Sequence, residues 1–225
     1  MSTTLEMPKP SSELPVDPAI RAKINSMIED LIRSLPNPKT LTSEERRALI
    51  ARYSSVLEGN FIYWMTATLL SVHSEEAKPI LLENLHEEVR DAHPAMLRRF
   101  TIAAHAFPTE SDAEIVNDDL TKVRLFLGKL SGVQSVLTMA LFEGFIQRFM
   151  GYLADLAKAQ GSEDMEYTDV HGVCDIAHTE GLFCALAVEM STNPLDPKED
   201  LYEGANLLRN LLRTIVFGQA AVHSA

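Results

Sequence analysis

Apolar residues along this chain recur every three to four positions, and the period-two alternation of a half-buried strand is nearly absent. A polar, proline-bearing stretch over residues 1–15 predicts a flexible tail, and residues 16–225 read as one helical domain. A first helix is expected from Asp17 to Ser34, ending at LPNPKT. Thr42 followed by Glu45 forms a capping box that opens a long helix to His73. Further helices follow from Glu76 to Asp91 and from Pro94 to His105. Proline suits a first helical turn and pushes the preceding residue out of the helical region, so His93 is a junction. Then come Asp112 to Leu130, Gly132 to Gln160, Glu166 to Met190 and Lys198 to Gln219. The pattern predicts an all-α bundle of seven or eight helices without internal repeats.

Three places break the amphipathic pattern. HGVCDIAH sets His171, Asp175 and His178 four and then three residues apart, which closes to within about 20° of one helix face. Their neighbours Val173, Cys174, Ile176 and Ala177 are mostly apolar, and ionised or clustered polar groups are costly there unless paired or metal-bound. Glu143 in TMALFEGFIQ shares its face with Val136, Met139, Ala140 and Ile146. It must be protonated, paired with a cation such as Arg124 or Arg148, or coordinating. In ENLHEEVRDAHP, Glu88 shares a face with Leu81, Leu85 and Ala92, and the break at Pro94 would let His93 turn back toward it. Each motif alone also suits a hydrogen-bonded core or a solvated face. Together, three carboxylates and three imidazoles are the donor set that two first-row ions require.

Composition narrows the chemistry. Lys and Arg total 20 against 32 acidic residues, a net charge of −12 without a basic cluster, which argues against nucleic acid and anionic membranes as partners. The longest apolar tract, Val133 to Met150, is interrupted by Gln134, Glu143, Gln147 and Arg148, so it reads as a core helix and not a membrane span. Two cysteines, Cys174 and Cys184, offer no disulfide framework and no CxxC site, which fits a reducing, cytoplasmic setting. The N-terminal stretch lacks the features of a signal peptide.

LLENLHEEVRDAHPAMLRRF, ALFEGF and YTDVHGVCDIAH, in that order and at this spacing, resemble the haem-oxygenase-like di-iron oxidases and oxygenases, relatives of the thiaminase-type and pyrroloquinoline-quinone-synthase folds. The resemblance covers residues 45 to 220 and implies the ligands Glu88, His93, Glu143, His171, Asp175 and His178 for two Fe(II) ions, with O2 as co-substrate. The Glu88–His93 gap is shorter than in several members, which leaves Glu87 as the fallback for Glu88. Glu143 is the expected bridging, catalytic carboxylate. Phe142, Phe145, Met139, Trp64 and Tyr63 would make an apolar pocket wall, although each taken singly fits a plain core role better, and Arg90, Lys122, Arg124 and Arg148 are the candidates to meet a substrate carboxylate. The resemblance further implies that the helix carrying His171 is mobile or partly unwound without iron.

The implied activity is O2-dependent oxidation of a small organic substrate, an amino acid or derivative in the first instance, in natural-product biosynthesis. Its outcomes include N-oxygenation, oxidative C–C cleavage, desaturation and nitrile formation. A fatty-acid-type oxidative decarboxylase is the alternative within the family, a single-metal Fe or Mn enzyme a further one. A non-catalytic helical binding or dimerisation module is the alternative outside it. The apolar face of LYEGANLLRNLLRTIVFG suits either closure of the bundle or a homodimer. His73, His86, His105 and His223 carry no motif.

Overall fold

The computed structural model describes residues 16–218, so both the tail over residues 1–15 and His223 lie outside the described residues. Among the described residues there are nine helices and no strand: α1 Pro18–Ser34, α2 Ser43–Leu57, α3 Asn60–Ser71, α4 Ala77–Arg90, α5 His93–Ala103, α6 Glu110–Leu127, α7 Gly132–Ala159, α8 Glu166–Thr192 and α9 Glu203–Phe217. Their starts follow from local chemistry. Asp17 accepts from the Ala19 amide with Pro18 in the first turn of α1. Thr42 and Glu45 close the expected capping box of α2, and Thr109 with Asp112 builds a second at α6.

The long helix expected from Thr42 to His73 is two helices. Gly59 has φ +85°, a left-handed conformation that glycine adopts without a Cβ clash, and α3 starts after it. The junction between α4 and α5 is Ala92, with φ +56°, and not His93, which is already helical; Pro94 occupies the first turn of α5 as its sequence position predicts. An alanine held there costs on the order of 1–3 kcal/mol. That strained turn is what swings His93 back toward α4.

The apolar stripes converge on α7, most of whose side chains are buried. It packs most extensively against α8, with α1, α3 and α9 also against it, while α4 lies on α8 and α6 on α9. The apolar face of α9, led by Leu208, Leu211, Leu212 and Ile215, is buried within the chain, so closing the bundle is the use the structure shows for it. Among the described residues, no helix is long and apolar enough to cross a membrane.

Candidate metal centre

Six side chains from four helices meet beside the middle of α7. Glu88 comes from the last turn of α4, His93 from the first residue of α5, Glu143 from α7, and His171, Asp175 and His178 from three positions along one face of α8. Glu88, His93, Glu143, His171 and Asp175 are buried, and His178 nearly so.

The donor atoms form two sets. In the first, Glu88 Oε1 lies 2.7 Å from His93 Nδ1 and 3.8 Å from His171 Nε2. One donor from each of these three residues falls within 4.8 Å of the others, and the same holds for Cys174, Asp175 and His178. In the second set, His178 Nδ1 is 3.7 Å from Asp175 Oδ1 and 3.9 Å from Glu143 Oε2. Glu143 thus faces the second set while lining the same pocket as Glu88, His93 and His171.

Charge in this space is unbalanced. The arginines that might have neutralised Glu143 are engaged elsewhere: Arg124 donates to Asn60 Oδ1 at 2.6 Å, and Arg148 sits 3.8 Å from Glu29. Burial first, then the charges of Asp175 and Glu88, push the Glu143 carboxyl well above the usual carboxylate range, against the pull of His178. Burial also opposes ionisation of Glu88, but the imidazoles of His171 and His93 outweigh it and hold that carboxyl below its ordinary value. His178 shows the converse. Desolvation lowers it, yet Asp175, Glu143 and Glu87 together push it up to about 9.

Several polar atoms here are buried with no hydrogen-bond partner: His93 Nε2, His178 Nδ1, Asp175 Oδ2 and Asn84 Oδ1. Each such atom costs on the order of 1–3 kcal/mol when desolvated without a partner. Four orphans within one acidic, imidazole-rich cluster fit a divalent cation, which takes up lone pairs that no protein donor reaches. The donors, nitrogen and oxygen with a half-buried thiol at the edge, suit iron.

Residues behind the donors hold them in place, and spacing alone could have pointed to two of them. Tyr167 is four residues before His171, and its carbonyl accepts from His171 Nδ1 at 2.8 Å, leaving Nε2 free toward Glu88. Asn84 is four residues before Glu88 and donates to Glu143 Oε1 at 3.1 Å. Glu87 is not among the converging donors; its Oε2 lies 2.7 Å from His178 Nε2, on the outer side of that ring. The hydroxyls of Tyr53 and Tyr167 meet at 2.8 Å in the core behind His171. Cys174 Sγ donates to Asp175 Oδ1 at 3.2 Å, and burial with that carboxylate raises the thiol far above its ordinary value, so it is no ready nucleophile.

A pocket partly open to solvent adjoins the first set. Leu57, Phe61, Ile62, Pro94, Leu97, Phe142 and Ile146 line it, together with Glu88, His93, Glu143, Tyr167 and His171. Of the wall residues expected from sequence, Phe142 is there. Trp64 stacks edge-on behind Phe142 at 5.3 Å, Met139 and Phe145 are core, and Tyr63 turns outward to the Arg124 carbonyl. None of the four candidate cations lines the pocket: Arg90 pairs with Asp91 and Lys122 with Asp119, while Arg124 and Arg148 are held as above. His73, His86 and His105 are exposed.

A comparison with curated proteins returned no match. The sequence profile of one family, described as iron-containing redox enzyme, matches residues 49–212, a span that contains all six converging side chains. With a helical bundle, an acidic imidazole centre and a match over most of its length, the chain belongs to the iron-containing redox enzymes of haem-oxygenase-like fold.

Proposed function

We propose that this iron-dependent oxidoreductase is a non-haem di-iron enzyme that uses O2 to oxidise a small organic substrate. The observation that carries the reading is the convergence of three carboxylates and three imidazoles, of which His93, Asp175 and His178 each keep a buried atom without a hydrogen-bond partner, with no Lys or Arg among the described pocket residues. Glu88, His93 and His171 would hold one ion, Asp175 and His178 the other, and Glu143, which faces His178 and lines the same pocket as the first three, would serve between them. A single proximal histidine suffices for haem, and this many carboxylates would set negative charge against a porphyrin. Two ferrous ions would supply electrons to O2 and oxidising power to the substrate.

The chain's own residues do the rest. Phe61, Phe142, Leu97 and Ile146 exclude water and press an apolar substrate body toward Glu143 and His171. Tyr167 and Asn84 fix the aim of His171 and Glu143 before anything binds. Glu143, pushed toward its protonated form by burial, would have to release that proton to hold an ion.

An amino acid or derivative is the first substrate reading, with its amine and carboxylate at the metal end, because the pocket wall offers no cation. The apolar lining favours a second: an aliphatic acid whose chain fills the same space.

Anaerobic titration with Fe2+ tests the centre. Uptake should saturate near two equivalents, and admitted O2 should produce a transient visible absorption. His171→Ala and His178→Ala should each remove uptake at their own set. Absence of uptake by the wild type would leave a non-catalytic helical module as the better account, and saturation at one equivalent would favour a single-metal enzyme. Mass spectrometry after incubation with panels of amino acids and fatty acids separates the two substrate readings.

A further inference from the structure

Glu87 and Glu88 are consecutive carboxylates with different surroundings. Glu88 is buried among the donors, whereas the Glu87 side chain is 30 % exposed at the rim where α4 lies on α8. Consecutive helix positions point about 100° apart, which separates the two. Glu87 Oε2 meets His178 Nε2 at 2.7 Å. A carboxylate accepts, so Nε2 carries the hydrogen and donates. In its neutral form, the form that can ligate a cation, the ring then presents its lone pair on Nδ1. That atom is buried, has no hydrogen-bond partner, and faces Asp175 Oδ1 at 3.7 Å and Glu143 Oε2 at 3.9 Å. His171 is set the opposite way, with Nδ1 on the Tyr167 carbonyl and Nε2 toward Glu88. The two imidazoles of α8 therefore offer different nitrogens, each selected by what holds the other one.

We propose that Glu87 is a positioning residue: by accepting from His178 Nε2 it directs Nδ1 to the ion that Asp175 and Glu143 share. The inference rests on the di-iron reading and adds to it a residue that touches neither metal nor substrate. Without Glu87 the ring is free to turn and to carry its hydrogen on Nδ1, where it would block the donor. Outer carboxylates on metal-bound imidazoles are worth about 10–100-fold in affinity. The first set, held through Tyr167, should not change.

The experiment is anaerobic Fe2+ titration of wild type, Glu87→Ala and Glu87→Gln. It is paired with 15N-histidine NMR of the zinc-saturated proteins, which reports which ring nitrogen holds hydrogen and which holds metal. Circular dichroism confirms that the variants are folded. Wild type should take up two equivalents, with His178 bound through Nδ1 and protonated on Nε2. Glu87→Ala should weaken one equivalent about 10–100-fold and spare the other. The Gln amide oxygen still accepts from Nε2–H, so Glu87→Gln should recover most of the loss and keep the Nδ1 signature. Coordination of His178 through Nε2, or wild-type affinity for both equivalents in Glu87→Ala, would overturn the assignment while leaving the centre intact. A wild type without uptake would overturn the centre itself and this role with it.

Discussion

Glu143 shows how a single side chain divides its effects between folding and chemistry. It sits in an apolar stripe of α7, faces Asp175 and Glu88 with His178 offsetting them in part, and is held off its usual titration range by burial. Such a group works against the metal-free fold. Glu143→Gln keeps the shape and the Asn84 contact while removing the need to take up a proton on folding, so it should raise metal-free stability by on the order of 1 kcal/mol at neutral pH. The same change should cost Fe2+ uptake, because an amide is a poor ligand for iron. Thermal unfolding without metal, run beside the titration, checks both; a variant less stable than wild type would mean the carboxyl is already paid for by contacts in the metal-free core. That this residue was out of place was legible from its apolar neighbours. That Arg124 and Arg148 would be occupied elsewhere was not, since their partners Asn60 and Glu29 are distant in the chain.

Between elements, a charged strut joins α2 to α6. Arg47 donates to both oxygens of Asp112 at 3.0 and 3.2 Å, and Asp112 also closes the Thr109 capping box. Burial opposes ionisation of Asp112, but the Arg47 guanidinium and the Thr109 hydroxyl and amide outweigh it, and the carboxyl lies below its ordinary 3.8. A depressed carboxyl stabilises the fold fully above its ordinary value and loses that contribution as pH falls through the depressed one. Asp112→Asn should therefore cost about 1–2 kcal/mol at pH 7, after solvent screening of the half-buried Arg47. Denaturant unfolding should show the gap between variant and wild type closing as pH falls below the ordinary 3.8; a gap independent of pH would assign the loss to the cap alone. At the same scale, α8 is helical throughout Glu166–Thr192. Its expected loosening without iron is a matter for hydrogen exchange with and without Fe2+.

For the whole molecule, the bundle closes where α9 crosses α6 and α7. A Cβ on Gly204 would overlap the Phe126 ring and the Thr138 hydroxyl, so the approach depends on glycine. Gly204→Ala should destabilise by about 1–3 kcal/mol through overpacking, and lower Tm by roughly 2–4 °C for each kcal/mol in a chain of this size. Calorimetry measures it. An unchanged Tm would mean that α9 shifts outward without penalty.

The helical class, most helix boundaries and the six polar residues that have no place in an apolar stripe are legible in the chain alone. These are local matters, set by periodicity, caps and prolines within a few residues of each other. Gly59 marks where that reading stops short: a lone glycine in a helical pattern is tolerated or not according to what packs around it. Folding settles which of Glu87 and Glu88 converges with the other donors, which ring nitrogens face them, and that no described pocket residue is a lysine or arginine. Those outcomes depend on contacts between α4, α7 and α8 across tens of residues, and a one-position step around a helix is enough to exchange a donor inside the site for a carboxylate that holds one from behind.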